Sequence, residues 1–187
     1  MSGWGATRTV VFVAGTLTIL WVSRRSLVRP SSHGFPRFFA FEAVLGLILL
    51  NVEHWFEDPW SVRQLASWLF LCTALLFVIW GLALLRTRGG FEPGSQASPE
   101  FEWEKTERLV TTGIYRYVRH PMYSSLLLLT WGALLKAVTP GAALLAALST
   151  VALAATATAE ERENLGRFGQ EYRDYMARTR RFVPFVV

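Results

Sequence analysis

Five long apolar stretches constrain the fold of this chain more than any other feature of its sequence. They cover about residues 7–22, 38–56, 62–85, 121–137 and 140–159. A helix of about 20 apolar residues crosses the ~30 Å hydrocarbon core of a bilayer, and it satisfies its own backbone hydrogen bonds there. The pattern therefore predicts an all-α, polytopic membrane protein with about five transmembrane helices, although the first and fourth stretches are short for a full span.

The last two apolar stretches predict a tight helical hairpin. Only Val138 and Thr139 separate them, and Thr139 followed by Pro140 is a favourable helix start because threonine caps a helix and proline fits its first turn. The charged segment that follows residue 159 has the pattern of an amphipathic helix. We therefore expect a terminal hairpin followed by a cytosolic C-terminal amphipathic helix.

The basic residues predict the orientation of the chain in the membrane. If the N-terminus lies outside, only Arg8, Arg63 and Lys136 of the nineteen Lys and Arg residues lie outside, and the other sixteen face the cytosol. The reverse orientation would violate the positive-inside rule. We therefore expect the N-terminus outside and the C-terminus in the cytosol. The first stretch does not have the pattern of a signal peptide, because its positive charges follow the apolar run.

Composition excludes several other classes of protein. Hydrophobic residues make up 52% of the chain and charged residues only 18%, which is typical of membrane proteins. The net charge of +5 comes from short basic clusters between apolar stretches, so it indicates topology and not a nucleic-acid partner. One cysteine (Cys72) and three histidines (His33, His54 and His120) show no ligand spacing, so we expect no metal site.

The length of 187 residues predicts one domain, residues 1–187. Within it, residues 1–88 hold the first three spans, residues 89–110 form a cytosolic linker that begins with a run rich in Gly, Pro and Ser, and residues 111–187 hold the hairpin and tail.

Arg119, His120 and Pro121 mark the start of the fourth apolar stretch. Proline suits the first turn of a helix, whose free N–H groups and positive dipole end would face the cytosolic interface beside the two basic side chains. These residues predict an anion site for a carboxylate or phosphate. The alternative is that Arg119 and His120 only anchor the helix end among lipid headgroups.

Glu160 and Glu161 stand where the fifth apolar stretch ends. Adjacent acids beside a negatively charged leaflet need positive partners or a cationic ligand. The hairpin returns them to the level of Arg119 and His120, so one pocket would offer a positive and a negative wall. The alternative is a set of salt bridges from the glutamates to Arg119 or Arg162.

The last third of the chain resembles a known family. The run GIYRYVRHPMY (113–123), the glutamate pair after an apolar hairpin, and the tail FGQEYRDY…RRFVPF are similar to the isoprenylcysteine carboxyl methyltransferase family, which is related to the phospholipid N-methyltransferases. The resemblance covers about residues 111–185. It implies that S-adenosylmethionine, whose charged groups also match the two walls, binds between the hairpin and the C-terminal helix. The cofactor-binding residues that it implies are Tyr115, Arg119, His120, Pro121, Tyr123, Glu160, Glu161, Tyr172 and Tyr175.

The sequence departs from this family at one informative position. Members that act on prenylcysteine carboxylates carry an arginine about one turn before the glutamate pair, where this chain has Thr156. We therefore expect only that the acceptor is lipid-like or small and apolar, and that it reaches the site from among the membrane lipids. An amine, thiol or hydroxyl acceptor needs a base, for which Glu42 in the second span and His120 are the catalytic candidates.

Three alternative functions stay open on the sequence alone. The first is a phospholipid N-methyltransferase. The second is an NADPH-dependent membrane reductase of the sterol type, because such enzymes resemble this superfamily in their terminal helices. The third is a non-catalytic membrane scaffold.

Overall fold

A computed structural model describes residues 3–89 and 108–183. These residues form six α-helices: α1 (Gly3–Leu27), α2 (Gly34–Asn51), α3 (Val62–Arg88), α4 (Pro121–Leu134), α5 (Pro140–Phe168) and α6 (Gln170–Arg178). Short 3₁₀ turns cover Val52–His54 and Gly113–Arg116. The prediction of a helical polytopic membrane protein is confirmed. Most of the linker predicted at 89–110 and the last four residues lie outside the described residues.

Four helices have the length and composition to cross a membrane: α1, α2, α3 and α5. The fourth apolar stretch forms a helix of 14 residues, which rises only about 21 Å. Pro121 begins this helix, and Leu134 ends it. The chain then leaves the helical path until Thr139 and Pro140 start α5. The Thr139 hydroxyl accepts a hydrogen bond from the Ala142 N–H, so α5 begins with the cap and proline that the sequence predicts.

Helix α2 lies at the centre of the bundle. It packs against α1, α4 and α5, while α3 packs against α4. Leu47 of α2 is fully buried among Ala133 and Leu134 of α4 and Ala142 and Ala146 of α5. The small alanine side chains allow these helices to approach closely, which is how helices associate in membranes. This packing holds α4 and α5 together next to the turn that joins them.

At the end of the bundle predicted to lie outside, each of the three basic residues has a partner within the chain. Arg8 pairs with Glu53 at 2.8 Å, and Arg63 donates to the Leu135 carbonyl at 2.8 Å. Buried Lys136 lies 3.6 Å from the centroid of the Trp68 ring and donates to Gln64 Oε1 at 3.0 Å. These contacts stabilise the hairpin turn between α4 and α5.

A buried hydrogen bond ties α2 to this turn, and we expect its loss to destabilise the bundle. Asn51 Nδ2 donates to the carbonyls of Ala133 at 2.9 Å and Ala137 at 3.0 Å. Asn51→Ala should lower the free energy of unfolding by about 1–2 kcal/mol, because it leaves buried carbonyls without this donor. Denaturation in mixed detergent micelles measures the change. Thr150→Ala, which removes a hydroxyl bonded only within its own helix at the Ala146 carbonyl, is the control; an equal loss in both variants would contradict the prediction.

Candidate active site

The segment before α4 is a tight turn held against α3. Gly113 has a φ of +62°, in the left-handed region, and a Cβ built there would lie 2.6 Å from Leu84 Cδ1 of α3. The 3₁₀ turn Gly113–Arg116 follows, and α4 starts at Pro121 in its first helical position. Gly113 and Pro121 therefore shape the turn that places Arg119 and His120 at the start of α4.

The C-terminal strap, residues Thr179–Phe182, lies across the start of α4. The Arg119 N–H donates to the Arg180 carbonyl at 2.8 Å, and the His120 N–H donates to the Arg181 carbonyl at 3.2 Å. The Arg180 N–H donates back to the Tyr117 carbonyl at 2.9 Å, and the Ser124 hydroxyl donates to the Phe182 carbonyl at 2.7 Å. The strap thus closes one side of the site.

Helix α6 is anchored by its two tyrosines. Tyr172 and Tyr175 are 2% and 3% exposed, and the Tyr175 hydroxyl donates to the Tyr115 carbonyl at 2.7 Å. Burial raises the pKa of Tyr115 and of Tyr175, and it raises the pKa of Tyr172 to about 12. All three hydroxyls therefore stay protonated at neutral pH.

Glu161 is the centre of a buried ion-pair network. Its Oε1 accepts from Arg119 Nε at 2.9 Å, and its Oε2 pairs with Arg181. Its side chain is 5% exposed. Arg119 Nη1 also donates to the Met176 carbonyl at 3.1 Å and to the Thr179 carbonyl. For Glu161, the salt bridge to Arg119 that the sequence analysis gave as an alternative is present, and it joins α5, the start of α4 and the strap.

Glu160 has a different environment from its neighbour. Its Oε2 accepts a short hydrogen bond from the Tyr123 hydroxyl and lies 3.8 Å from His120 Nδ1. Its side chain is 31% exposed. Among the ion pairs of residues 3–89 and 108–183, the partner of Glu160 is His120, so no arginine or lysine neutralises this carboxylate.

His120 lies between the two glutamates. Its side chain is 3% exposed, and its Nε2 lies 3.4 Å from Glu161 Oε1 without a hydrogen-bond partner among the described residues. The ring stacks on Tyr123, with centroids 5.4 Å apart. A buried imidazole beside two carboxylates, with no well-aligned hydrogen bond at Nε2, is a candidate group for recognition of a ligand atom.

The membrane side of the site is apolar. Tyr123 of α4 packs with Ala40 of α2 and with Leu153 and Ala157 of α5, and the surrounding hydrophobic residues are Leu126, Leu127, Ala152 and Phe182. Thr156 is fully buried and its hydroxyl donates to the Ala152 carbonyl. The site is therefore polar toward the strap and apolar toward the bundle.

The structure brings most of the predicted site residues to one end of the bundle. The first group surrounds Glu160 and Glu161 directly and consists of Arg119, His120, Pro121 and Tyr123; the second group lies behind it and consists of Tyr115, Tyr172 and Tyr175. Glu42 lies elsewhere: its Oε2 accepts from the Thr16 hydroxyl of α1 at 2.9 Å. Arg181 of the strap, which was not among the predicted site residues, also belongs to the cluster, because it pairs with Glu161.

The described residues hold no cluster of three or more potential metal ligands. What they offer is one carboxylate without an arginine, a buried imidazole, and two arginines already paired with a second carboxylate. Such a set can bind an organic ligand that carries a positive charge near Glu160 and a hydrogen-bonding group near His120.

Comparison with known proteins identifies the family. The family model described as phospholipid methyltransferase matches residues 62–171, which include α3, the turn, α4 and α5. Methanethiol S-methyltransferase 1 of Bradyrhizobium diazoefficiens is 33% identical over 92 residues, which are 49% of this chain and 29% of that protein. Protein-S-isoprenylcysteine O-methyltransferase of Mus musculus is 32% identical over 130 residues, which are 68% of this chain and 45% of that protein. The human protein of that name matches to the same extent.

The chain thus spans less than half the length of these relatives. No solved structure matches the chain. The family match covers the segment that holds the glutamates and the start of α4, and it extends over more than half of the sequence. The resemblance to the isoprenylcysteine-type enzymes is confirmed, and the chain belongs to the phospholipid methyltransferase family.

Proposed function

We propose that this protein is an integral membrane methyltransferase that uses S-adenosylmethionine to methylate a lipid-like or small apolar acceptor at the cytosolic side of the membrane. The observation that carries the proposal is the Glu160 carboxylate, which is held by Tyr123 and His120 and pairs with no arginine in the part of the chain that the structure describes. The relatives, whose names describe methyltransferases, support it. The orientation with the N-terminus outside and the C-terminus in the cytosol is part of the proposal.

The residues present fit S-adenosylmethionine. The uncompensated carboxylate of Glu160 suits a cationic group, and the buried Nε2 of His120 has a hydrogen bond to offer. The N–H groups in the first turn of α4, beside Pro121, suit a carboxylate. When bound, the cofactor supplies a methyl group on a positively charged sulfur.

The chain's own residues hold and enclose the reactants. Glu161 fixes Arg119 and Arg181, and through them the strap. Tyr123 and His120 hold Glu160 in one orientation. The apolar side chains beneath exclude water from the acceptor. Alignment of two reactants in a dry site can contribute several kcal/mol to a bimolecular step, up to about 7–11 in ideal cases.

Two of the alternative functions are also enzymes: one has a different substrate, and the other has a different cofactor. A phospholipid acceptor agrees with the description of the matching family model, so we keep phospholipid N-methyltransferase as the second candidate. A reductase would place the phosphates of NADPH near Glu160, whose negative charge disfavours them. Glu42 stays a candidate base outside this cluster: its Oε2 accepts from Thr16 in the α1–α2 interface, and its buried Oε1 has no hydrogen-bond partner among the described residues.

A comparison of the cofactor with its demethylated product tests the role of Glu160. S-adenosylhomocysteine lacks the sulfonium charge but keeps the other groups. Glu160→Gln should weaken S-adenosylmethionine binding by about tenfold and leave S-adenosylhomocysteine binding nearly unchanged. Calorimetric titration of the purified protein in lipid nanodiscs measures both affinities.

Glu163→Gln is the matched control, because it removes a carboxylate from the same helix that contacts His33 instead of the proposed site. This variant should keep the preference of the unaltered protein. Absence of binding for both adenosyl compounds, with tight binding of NADPH, would contradict the methyltransferase proposal. Absence of binding for all three would favour the scaffold.

A further inference from the structure

We infer that the methyl acceptor is an apolar thiol and that Glu160 accepts the thiol proton. The inference rests on the proposed function, because it specifies the acceptor of the same site. It also addresses a question that the relatives leave open, since the name of one describes transfer to sulfur and the name of the other transfer to oxygen.

The three carboxylates near the cytosolic end of α5 differ in their partners. Glu161 is paired with Arg119 and Arg181. Glu163 accepts from the His33 N–H at 2.9 Å, lies 2.6 Å from His33 Nδ1, and interacts electrostatically with Arg37. Their negative charges are therefore balanced by groups of the protein itself.

Glu160 keeps its negative charge available. Both of its recorded contacts, the hydrogen bond from Tyr123 and the approach of His120, use Oε2. Within the two described segments, Oε1 is therefore the oxygen left for a proton or a ligand. Because the side chain is partly exposed, a reactant can reach this oxygen.

Among the described residues, the apolar faces of α4 and α5 offer no cation to a negatively charged acceptor. The sequence contains no Lys, Arg or His at residues 122–135 or 139–159, and Ala40, Leu153 and Ala157 cover the surface below Tyr123. Arg37, the basic residue of α2 at this end, is engaged with Glu163. A carboxylate acceptor would place a second negative charge beside Glu160 without a counter-charge, and the two would repel each other.

A thiol meets these conditions better than a carboxylate or an amine. It is uncharged when it enters, and its weakly polar sulfur is compatible with an alanine- and leucine-lined surface. An ammonium group would need several hydrogen-bond acceptors, and the cluster that packs with Tyr123 consists of hydrophobic residues. The thiol proton then needs a single acceptor, which is the oxygen of Glu160.

The proposed step conserves atoms and charge. The acceptor sulfur forms a bond to the methyl carbon, the bond between that carbon and the donor sulfur breaks, and its electron pair stays on the donor sulfur. The thiol proton passes to the Glu160 carboxylate. One positive and one negative charge disappear together, so no unpaired charge is left in a partly buried site. Transfer to a carboxylate would instead leave Glu160 charged beside neutral products.

Binding of chain-matched acceptors tests the inference without turnover. The protein in lipid nanodiscs, saturated with S-adenosylhomocysteine, is titrated calorimetrically with hexanethiol, hexylamine and hexanoate under reducing conditions. We expect hexanethiol to bind at least about tenfold more tightly than hexanoate. Glu160→Gln should remove most of this difference, and Glu163→Gln should preserve it. Comparison among variants in identical nanodiscs corrects for partitioning of the ligands into lipid.

Product analysis provides the second measurement. With S-adenosylmethionine and an equimolar mixture of the three compounds, mass spectrometry should find methyl hexyl sulfide as the main product. A methyl ester or a methylated amine as the main product, or equal binding of thiol and carboxylate to the unaltered protein, would overturn the inference while leaving the proposed function intact. The product distribution of the unaltered protein decides even if Glu160→Gln does not fold. Failure of S-adenosylmethionine itself to bind is the separate outcome that contradicts the proposed function.

Discussion

Glu161→Ala should lower the free energy of unfolding by about 3–5 kcal/mol, because removal of one partner from a buried ion pair leaves the other charges uncompensated. The carboxylate is 5% exposed and pairs with Arg119, itself 10% exposed, and with Arg181 of the strap. The same change should release the strap from α5. Denaturation in mixed micelles measures the first effect, and the rate of tryptic cleavage after Arg180 and Arg181 measures the second.

An exposed carboxylate provides the control for this variant. Glu171→Ala on α6 removes a charge from the surface, and we expect it to change stability by less than about 0.5 kcal/mol. A double variant, Glu161→Ala with Arg119→Ala, should be less destabilised than the sum of the two single changes, because both disrupt one network. Full additivity, or an unchanged rate of cleavage in Glu161→Ala, would show that the network does not hold the strap.

Gly113→Ala should cost about 2–4 kcal/mol in all, from backbone strain and crowding together. The φ of +62° lies in the region that residues with a Cβ rarely adopt, and the added carbon would lie 2.6 Å from Leu84 Cδ1. Any adjustment of the turn moves Arg119 and His120, so we expect S-adenosylmethionine affinity to fall together with stability. The thermal midpoint and calorimetric titration measure the two effects.

Two further changes separate strain from crowding. Leu84→Ala combined with Gly113→Ala removes the clash and leaves the backbone strain, so the double variant should differ from Leu84→Ala alone by only about 1–2 kcal/mol. Gly166→Ala in α5, where a Cβ meets open space, should be neutral or stabilising by up to about 1 kcal/mol. An unaltered thermal midpoint in Gly113→Ala would mean that the turn does not require this glycine.

The helices and the hairpin were predictable from sequence because each depends on local signals. Apolar stretches of sufficient length predicted the spans, and Thr139 and Pro140 predicted the start of α5 to the residue. The length of α4 was less accessible: apolar residues continue to 137, but the helix ends at Leu134. The backbone carbonyls that follow Leu134 accept hydrogen bonds from Arg63 and Asn51, which belong to other helices. No sequence pattern within α4 reveals those partners.

That most of the candidate site residues lie close together was predictable, but their pairing was not. The hairpin argument brought Arg119 and His120 to the level of the glutamates. Adjacent residues on a helix point about 100° apart, and this separates Glu161, which faces the arginines, from Glu160, which faces Tyr123. Which of the two faced the arginines depended on the rotation of α5 against α2 and α4. The contribution of Arg181 depended on the path of the strap, which long-range backbone hydrogen bonds determine.

The short length of α4 has a consequence for the depth of the proposed reaction. Helix α5 continues for eight residues after Glu160, to Phe168, a rise of about 12 Å. In the proposed orientation, the reacting groups therefore meet where the apolar stretch of α5 ends, in a recess about 12 Å below the end of that helix. Under this proposal, an acceptor dissolved in the membrane does not have to leave the hydrocarbon layer to be methylated. The water-soluble donor enters the recess from the aqueous side. In a thicker bilayer, the recess should lie farther from the aqueous surface. We therefore expect the hydrophobic thickness of the host membrane to affect access of the donor more than access of the acceptor.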